Sequence, residues 1–469
     1  MAENNNNNGN NKPERKILNG WSKTDEPQKA EIFKFCGEYI DFLNKGKTER
    51  EVVKETKRIL DASGFYDIDS KTGLKAGDKV YRINKGKGVY VAVIGKDALK
   101  DGINMIGSHI DSPRLDLKQN PLYEDSNIAL FKTHYYGGIK KYQWTAIPLA
   151  IHGVIVKETG EVVEVNIGEA DSDPVFVVSD LLPHLSAKQN KKPLSEGVPA
   201  ENLNIMIGSM PLDNEDNSSV KSNILALLNK KYGIREVDFN SAELEVVPAF
   251  KARTMGFDES MIASYGHDDR VCAYPCLRAI LDIDQPEKTA VCILADKEEV
   301  GSNGNTGMCS MNFELFMMDI LEKMGDVNPY SLQRMMSNSK CLSADVTAAF
   351  DPTYASVMEK NNAAYLGAGI CFNKYTGARG KSGASDANAE FVAYVRGIFE
   401  KAGVMYQAAE LGKVDEGGGG TIAYILANKG MDVLDAGVPV ISMHSPYEVV
   451  SKYDVFMTFM GYKAFFKAS

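Results

Sequence analysis

Two histidines and five carboxylates in the sequence stand where a strand pattern ends or a helix pattern begins. They are His109, Asp111, Asp268, Glu298, Glu299, Asp345 and His444. In open α/β sheets, ligand sites form at the edge made by the carboxyl ends of the strands, so these side chains are candidates for one site. Imidazole and carboxylate groups bind zinc and similar divalent ions, and two such ions about 3.5–4 Å apart can hold a hydroxide between them.

Each part of this pattern also has an ordinary structural explanation. The step from His109 to Asp111 is most often a surface turn, adjacent glutamates usually lie on a solvated face, and an Asp that opens a helix is often its N-cap. The hypothesis therefore depends on all seven residues coinciding with the ends of elements. Adjacent glutamates suit it because one can bind a metal ion while the other acts as general base. His134, His152 and His267 are interpreted as structural or surface residues.

Short apolar strand patterns alternate with helical patterns on both sides of a stretch that is rich in short β patterns. The alternation predicts an α/β catalytic domain with a mixed, mostly parallel sheet flanked by helices. The middle stretch contains AIPLAIHGVIV, EVVEVNI and PVFVVSDLL, which predict an inserted, mainly β domain. The predicted segments are a disordered Asn-rich tail at 1–15, the first part of the catalytic domain at 16–119, the insert at 120–247 and the second part at 248–469.

The composition is that of a globular protein, because 44% of the 469 residues are hydrophobic and 25% are charged. The net charge of −10 argues against nucleic acid or an anionic membrane as a main partner. No run of ~18 apolar residues predicts a membrane-spanning helix. The N-terminal stretch lacks the apolar core of a signal peptide, so the expected location is the cytoplasm. The seven cysteines include no CxxC pair and are interpreted as reduced, buried thiols.

Five blocks of the sequence resemble those of the aspartyl aminopeptidase family, to which the yeast vacuolar aminopeptidase I also belongs. The blocks are GSHIDSPRLDLK, GHDDRVCAY, DKEEVGSNGNTG, SADVTAAFDP and VPVISMHSPYEV. They follow the family order from about residue 107 to about residue 449, and the chain resembles the bacterial branch, which lacks a vacuolar propeptide. The resemblance implies a dizinc aminopeptidase whose inserted β domain serves dimerisation. It further implies that six dimers form a tetrahedral dodecamer.

The resemblance also implies a role for each residue of the matching motifs. Asp268 would bridge two divalent metal ions in each subunit, and its peptide bond to Asp269 would be cis. The two ions would be zinc, with cobalt and manganese as alternatives. His109 and Asp345 would complete the site of one ion, and Glu299 and His444 that of the other. In addition, Asp111 would orient His109, and Glu298 would be the general base.

Two stretches depart from the family pattern. Where many members carry LAIHL, this chain has DLLPHLSAKQN, with Lys188 at the usual place of the histidine and His184 four residues earlier. His184 is expected either to take over an active-site role or to be structural. The family's substrate loop is here DEGGGGTI, with Gly418, Gly419, Gly420 and Thr421 as candidate substrate contacts. Glycines permit close approach of a substrate backbone, and no Lys-Ser/Thr step follows them to favour phosphate binding.

The function predicted from these observations is hydrolysis of the N-terminal peptide bond of peptides by a metal-bridging hydroxide, with a glutamate as general base. One alternative is a related dizinc amidohydrolase, such as a deacetylase or carboxypeptidase, which needs an Arg or similar cation for a substrate carboxylate. The other is a non-catalytic binding or cargo protein on the same fold. Loss of Glu298 or of a metal ligand would favour this second alternative, and none is lost. The preferred N-terminal residue is not predicted.

Overall fold

The computed structural model describes residues 18–213 and 219–469, so the predicted disordered tail at 1–15 lies outside the described residues. Within the described ranges the chain forms ten α-helices. They are Glu26–Lys45, Glu49–Ala62, Leu194–Gly197, Val220–Tyr232, His267–Leu281, Asn312–Lys323, Ser331–Asn338, Ala389–Lys401, Ala423–Ala427 and Lys452–Phe466. None of the helices in these ranges is long and apolar enough to cross a membrane.

The centre of the fold is a nine-stranded sheet. In spatial order its strands are Tyr66–Asp67, Lys79–Asn84, Gly88–Val93, Ala290–Ala295, Asn104–His109, Lys340–Ser343, Asp432–Gly437, Ile370–Asn373 and Tyr406–Ala408. Five of the eight neighbouring pairs are parallel and three are antiparallel. The sheet is therefore mixed and mostly parallel, as predicted.

Helices cover both faces of this sheet. Successive residues of a strand point to opposite faces, so each central strand contributes side chains to two separate clusters. Val91 and Val93 belong to one cluster of buried side chains and Tyr90 and Ala92 to another. The first cluster includes residues of the first two helices, of His267–Leu281 and of the last helix. The second includes residues of the helices Asn312–Lys323, Ser331–Asn338 and Ala423–Ala427. The central strands thus lie in a dry, three-layered core.

A second sheet has seven strands, and all of its neighbouring pairs are antiparallel. In spatial order the strands are Val162–Ile167, Leu149–Val156, Ala242–Pro248, Arg114–Asp125, Ile128–Tyr136, Ile205–Gly208 and Val177–Val178. Their side chains form a third cluster of buried apolar residues. The sheet begins at Arg114, six residues before the expected boundary of the insert, and ends at Pro248.

A third sheet of five strands lies between elements that are far apart in sequence. Its strands, in spatial order, are Arg253–Met255, Met261–Ser264, Glu448–Ser451, Pro439–Ile441 and Thr347–Ala348. A two-stranded ribbon pairs Gly377–Ala378 with Gly418–Gly419. All seven cysteines are free; Cys309 is exposed and the other six are buried.

The junction between the first two sheets is fixed by the start of the second helix. Thr48 accepts a hydrogen bond from the backbone of Glu51, and the Glu51 side chain accepts one from the backbone of Thr48, which forms a capping box. Immediately after the cap, Glu49 is fully buried and lies 3.4 Å from the guanidinium of Arg114. The first residue of the antiparallel sheet is therefore held by the helix that covers the central sheet.

Candidate active site

The strand that ends at His109 and the strands that precede Asp345 and the glutamate pair are neighbours in the nine-stranded sheet. Ala290–Ala295 runs parallel to Asn104–His109, with Ala295 paired to His109. Lys340–Ser343 lies parallel on the other side of the same strand. Because the carboxyl ends of parallel strands are aligned, the side chains that follow them meet at one edge of the sheet, as the sequence pattern predicts.

Asp268 reaches this edge from the first residues of a helix. Asp268 and Asp269 have non-helical dihedral angles inside the range His267–Leu281, and the peptide bond between them is cis. The preceding His267 is fully buried, with its ring between the hydroxyl of Tyr39 at 2.8 Å and the carbonyl oxygen of Ile262 at 3.2 Å. Burial lowers the pKa of His267 to about 3, so its ring is neutral. The interpretation of His267 as a structural residue agrees with these contacts.

His444 follows the strand Pro439–Ile441, which belongs to the five-stranded sheet and not to the central one. Its position after a strand is therefore as expected, but the strand lies in a different sheet from those of the other residues. The turn gives His444 a positive φ of 63°. In this geometry its imidazole points back to Asp268, with 3.1 Å between Nε2 and Oδ2.

The carboxylate of Asp268 lies between the two histidines. Its Oδ1 is 3.2 Å from Nε2 of His109, and its Oδ2 faces His444. Nε2 of His109 is also 3.9 Å from Oδ1 of Asp345, and Nε2 of His444 is 3.4 Å from Oε2 of Glu299. One carboxylate thus connects two imidazole–carboxylate pairs, which is the arrangement needed for a bridging ligand.

The donor atoms suit a divalent metal ion. Three overlapping groups have their ligand atoms within 4.8 Å of one another. They are His109, Glu298 and Asp345; His109, Asp268 and Glu299; and Asp268, Asp269 and Asp345. Nε2 of His109, Oδ1 of Asp268 and Oε1 of Glu299 are buried without a hydrogen-bond partner among the described residues. Since an unpaired buried polar atom is costly, these atoms fit zinc, which takes imidazole nitrogen and carboxylate oxygen.

The crowding of carboxylates changes their proton affinities. Burial, reinforced by the charge of Asp268, raises the pKa of Glu299 well above its usual value, and burial raises that of Glu298 to about 7. Burial also acts to raise the pKa of Asp268, but the adjacent imidazoles of His109 and His444 lower it below its ordinary value. Positive charge among these carboxylates would favour their ionised forms, and divalent cations supply such charge.

Sequence reasoning missed Glu448, which is buried directly behind the cluster. Its Oε1 accepts a hydrogen bond from the backbone N–H of His444 at 2.7 Å, and its Oε2 accepts one from the backbone N–H of Asp268 at 3.1 Å. Burial raises the pKa of Glu448 to about 8. The available signal was its position four residues after His444 in SMHSPYE. Glu448 ties the start of a helix to the turn that carries His444.

His184 and Lys188 are not brought into this cluster within the described part of the chain. His184 is exposed in the short turn Pro183–Leu185 of the region that forms the antiparallel sheet. No hydrogen bond or ion pair among the described residues connects either side chain to the cluster. The role of His184 stays a prediction. His152, by contrast, is buried between Glu51 at 2.8 Å and Glu169 at 3.1 Å, which agrees with a structural role.

The glycine-rich stretch is exposed at Gly418–Gly420 and anchored at Thr421. A side chain at Gly418 would lie 2.2 Å from the carbonyl oxygen of Gly377, whereas Gly419 and Gly420 face open space. The Thr421 hydroxyl donates to Oδ1 of Asp435 at 2.6 Å. Asp435 lies in a strand of the central sheet, and burial raises its pKa to about 6. The loop is therefore fixed at one end to the edge that carries Asp345.

The profile of the aminopeptidase I zinc metalloprotease family, M18, matches residues 42–466. The chain therefore belongs to this family. Its activity is that of a zinc-dependent aminopeptidase, in agreement with the resemblance found in the five sequence blocks.

Known proteins resemble the chain over nearly its full length. A protein of Clostridium acetobutylicum described as a probable M18 family aminopeptidase 1 is 54% identical over 456 residues, which cover 96% of this chain and 98% of the relative. The crystal structure of an M18 aminopeptidase from Thermotoga maritima has a TM-score of 0.93 at 47% identity and covers 97% of this chain and 99% of that chain. The structure of an S. cerevisiae mApe1 dodecamer has a TM-score of 0.76 at 21% identity, and the match covers 93% of this chain and 97% of that chain. At this identity the match shows similarity of fold.

Proposed function

We propose that this chain removes N-terminal residues from peptides with two divalent metal ions, zinc in the first place, bound to each subunit. Five residues would bind the ions: His109, Asp268, Glu299, Asp345 and His444. The observation that carries the proposal is the position of the Asp268 carboxylate between the Nε2 atoms of two histidines. Asp268 would be shared, with His109 and Asp345 on one side and Glu299 and His444 on the other. When bound, the ions activate a water molecule and polarise the scissile carbonyl.

Glu298 is the residue proposed as general base. Its side chain is 17% exposed and that of Glu299 is 3% exposed, so Glu298 is the one of the pair that a substrate can reach. Burial raises its pKa to about 7 in the metal-free site, and bound dications would lower it and keep Glu298 ready to accept a proton. Glu298 would take a proton from the attacking water and deliver it to the leaving amine. The side chain of Glu299 is more deeply buried, which favours a role as metal ligand.

Asp111 is proposed to orient His109. Nδ1 of His109, on the side of the ring opposite to the proposed ligand atom Nε2, is hydrogen-bonded to the backbone carbonyl oxygen of Asp111 at 3.0 Å and lies 3.2 Å from its Oδ1. Oxygen acceptors in these positions fix the tautomer and the direction of a metal-binding imidazole. The open space beside Gly419 and Gly420 lets a substrate backbone approach the loop closely, so we place the peptide along these residues and Thr421.

The antiparallel sheet and its loops are proposed to form a homodimer contact, with dimers assembled into a tetrahedral dodecamer. Leu182 and Leu185 on either side of His184 are 49% and 67% exposed. Exposed leucines around a histidine favour a contact with a second copy, which would carry His184 to the neighbouring active site. The dodecamer described for S. cerevisiae mApe1 supports the assembly only through similarity of fold. Location in the cytoplasm stays a prediction.

The test of the function uses an aminoacyl chromogenic amide and its Nα-acetyl counterpart. We expect hydrolysis of the free amine form alone, loss of activity on chelation, and recovery with zinc, cobalt or manganese. Elemental analysis should give two ions per subunit. Full activity in protein shown to be metal-free would contradict the metal proposal. Preferred cleavage of acetylated or carboxyl-terminal substrates would favour the alternative amidohydrolase.

A further inference from the structure

The strand Ile128–Tyr136 of the antiparallel sheet ends against the metal-binding cluster. The Tyr136 hydroxyl donates a hydrogen bond to Oδ2 of Asp111 at 2.7 Å. Two residues later, the carbonyl oxygen of Gly138 accepts a hydrogen bond from Nδ1 of His444 at 2.8 Å. Between them, a side chain at Gly137 would lie 3.3 Å from the side chain of Glu299. A segment outside the central sheet is therefore in contact with both halves of the site.

Asp111, the residue that Tyr136 contacts, holds more than His109. It is fully buried, and its Oδ1 accepts the backbone N–H of Glu298 at 3.2 Å while its Oδ2 accepts that of Glu299 at 3.2 Å. Oδ1 also lies 3.2 Å from Nδ1 of His109, which is hydrogen-bonded to the backbone carbonyl oxygen of the same Asp111 at 3.0 Å. The position of Asp111 therefore affects the direction of His109, a proposed ligand. It also fixes the turn that carries Glu298 and Glu299, the proposed general base and a second ligand.

Tyr136 is itself held in place by Arg114. The Arg114 guanidinium lies 4.0 Å from the centre of the Tyr136 ring, within cation–π distance. Arg114 is 5% exposed and in turn lies 2.8 Å from Asp116, 3.3 Å from Glu245 and 3.4 Å from Glu49. With the ring fixed on one side, the hydroxyl has a defined direction towards Asp111.

We propose that Tyr136 is a positioning residue of the metal site, which fixes Asp111 through its hydroxyl and so orients His109 and the Glu298–Glu299 turn. This inference rests on the proposed function, because it assumes that these residues bind metal ions. It gives the antiparallel sheet a part in each subunit's own active site, in addition to any contact between subunits. Loss of a hydrogen-bond partner behind a metal ligand typically lowers metal affinity or activity by about 10–100-fold.

The test compares Tyr136→Phe with Tyr135→Phe in the full-length protein. Phe at 136 keeps the ring beside Arg114 and removes only the hydroxyl, and Tyr135 is the neighbouring exposed tyrosine. We expect Tyr136→Phe to bind Zn²⁺ about 10–100-fold more weakly in competition with a chromogenic chelator. The visible spectrum of its Co²⁺ form should change, and kcat should fall more than KM rises. Tyr135→Phe should behave as wild type. Unchanged affinity and spectrum in Tyr136→Phe, or equal effects in both variants, would overturn the proposal.

A double-mutant cycle tests the route through Asp111. If Tyr136 acts through this carboxylate, Tyr136→Phe should weaken Zn²⁺ binding little further once Asp111→Asn is present, whereas additive effects would refute that route. Should Tyr136→Phe fail to fold, 3-fluorotyrosine at position 136 keeps the ring and makes the hydroxyl a stronger donor. If the protein with 3-fluorotyrosine had the same Zn²⁺ affinity and the same Co²⁺ spectrum as the wild type, the inference would be contradicted. Absence of metal binding in the wild type would refute the proposed function itself, whereas a wild-type-like Tyr136→Phe refutes this inference alone.

Discussion

The carboxylate of Glu298 lies beside the imidazole of His109, with 3.9 Å between Oε2 and Nε2. Glu298 is thus close enough to bind the same ion as His109, and its greater exposure is the observation that favours it over Glu299 as the base. We expect Glu298→Gln to lower kcat by about 10²–10⁴-fold with both metal ions retained, because Gln keeps the shape but cannot accept a proton. Activity assays combined with elemental analysis of the dialysed protein measure both quantities.

The matched variant for this test is Glu299→Gln. The same change at the adjacent residue should remove metal as well as activity, because Glu299 is a proposed ligand. If Glu298→Gln lost metal and Glu299→Gln kept it, the roles of base and ligand would have to be exchanged.

A second prediction concerns Glu448, whose two oxygens accept the backbone N–H groups of Asp268 and His444. In Glu448→Gln one oxygen becomes an NH₂ group, which faces an N–H donor. The metal-free protein should lose about 1–3 kcal/mol of stability, the usual cost of leaving a buried donor unpaired, and should bind Zn²⁺ more weakly. The measurement belongs at pH 8.5, above the Glu448 pKa of about 8.

Denaturant unfolding and chelator competition give the two readouts for Glu448→Gln. Glu322→Gln, an exposed residue of the helix Asn312–Lys323, serves as control and should change neither. Wild-type metal affinity in Glu448→Gln would show that the link between the helix start and the His444 turn is not needed to hold the ligands.

The positions of single residues at strand ends could be predicted from the sequence, whereas contacts between sheets could not. His109 and Glu298 follow apolar runs, INMIG and TAVCILA, which mark buried parallel strands. The strand Asp432–Gly437 has a weaker apolar pattern, because it carries the buried carboxylate of Asp435. The Thr421 hydroxyl donates a hydrogen bond to this carboxylate. Such a carboxylate contradicts the apolar pattern of a buried strand, and only its partner explains it.

The parts of the site that sequence reasoning missed depend on pairings between distant segments. The strand before His444 has three residues and joins a separate sheet through neighbours that no local pattern specifies. Likewise, nothing in the sequence around Tyr136 indicates that its hydroxyl reaches Asp111. A strand's face and register follow from its own alternation, but the element beyond its end depends on the packing of whole sheets.

A third prediction concerns pH and Asp454, which is fully buried and accepts the backbone N–H groups of Gly367 at 2.8 Å and Gly369 at 2.7 Å. Burial raises its pKa to about 8, against ~3.9 in an unfolded chain. Between these values the folded state keeps a proton that the unfolded state has lost. This residue's contribution to stability is therefore complete below pH ~4 and is lost as the pH rises through 8, by at most about 1.4 kcal/mol per pH unit.

Asp454→Asn cannot ionise, so this decline should be absent from it. The free energy of unfolding of the variant minus that of the wild type should increase from pH 5 to pH 8 and level off above. Asp97→Asn, at an exposed position, should show no such trend relative to the wild type. A difference for Asp454→Asn that stays constant across the range would rule out a proton held by Asp454 in the folded state.

A fourth prediction tests His184 as a residue that acts in the neighbouring subunit. Glu298→Gln and His184→Ala should each be inactive, and co-expression should restore activity. In a mixed dimer both changes fall on one site and leave the other intact, so random pairing leaves about a quarter of the sites functional. The assay is hydrolysis by the co-purified mixture. His134 is an exposed histidine of the strand Ile128–Tyr136, and His134→Ala should be active by itself. Failure to recover activity in verified mixed dimers would exclude action in trans.

The proposed ligands come from separate parts of the fold, and this has a consequence for a newly made chain. His109 and His444 are 335 positions apart (444 − 109), and they meet only when the five-stranded sheet has packed beside the nine-stranded one. A state with the central sheet alone would offer His109 and Asp345 without the second imidazole. The proposed site would therefore be incomplete in any copy whose five-stranded sheet has not packed, and such a copy would be unable to cleave the chains around it.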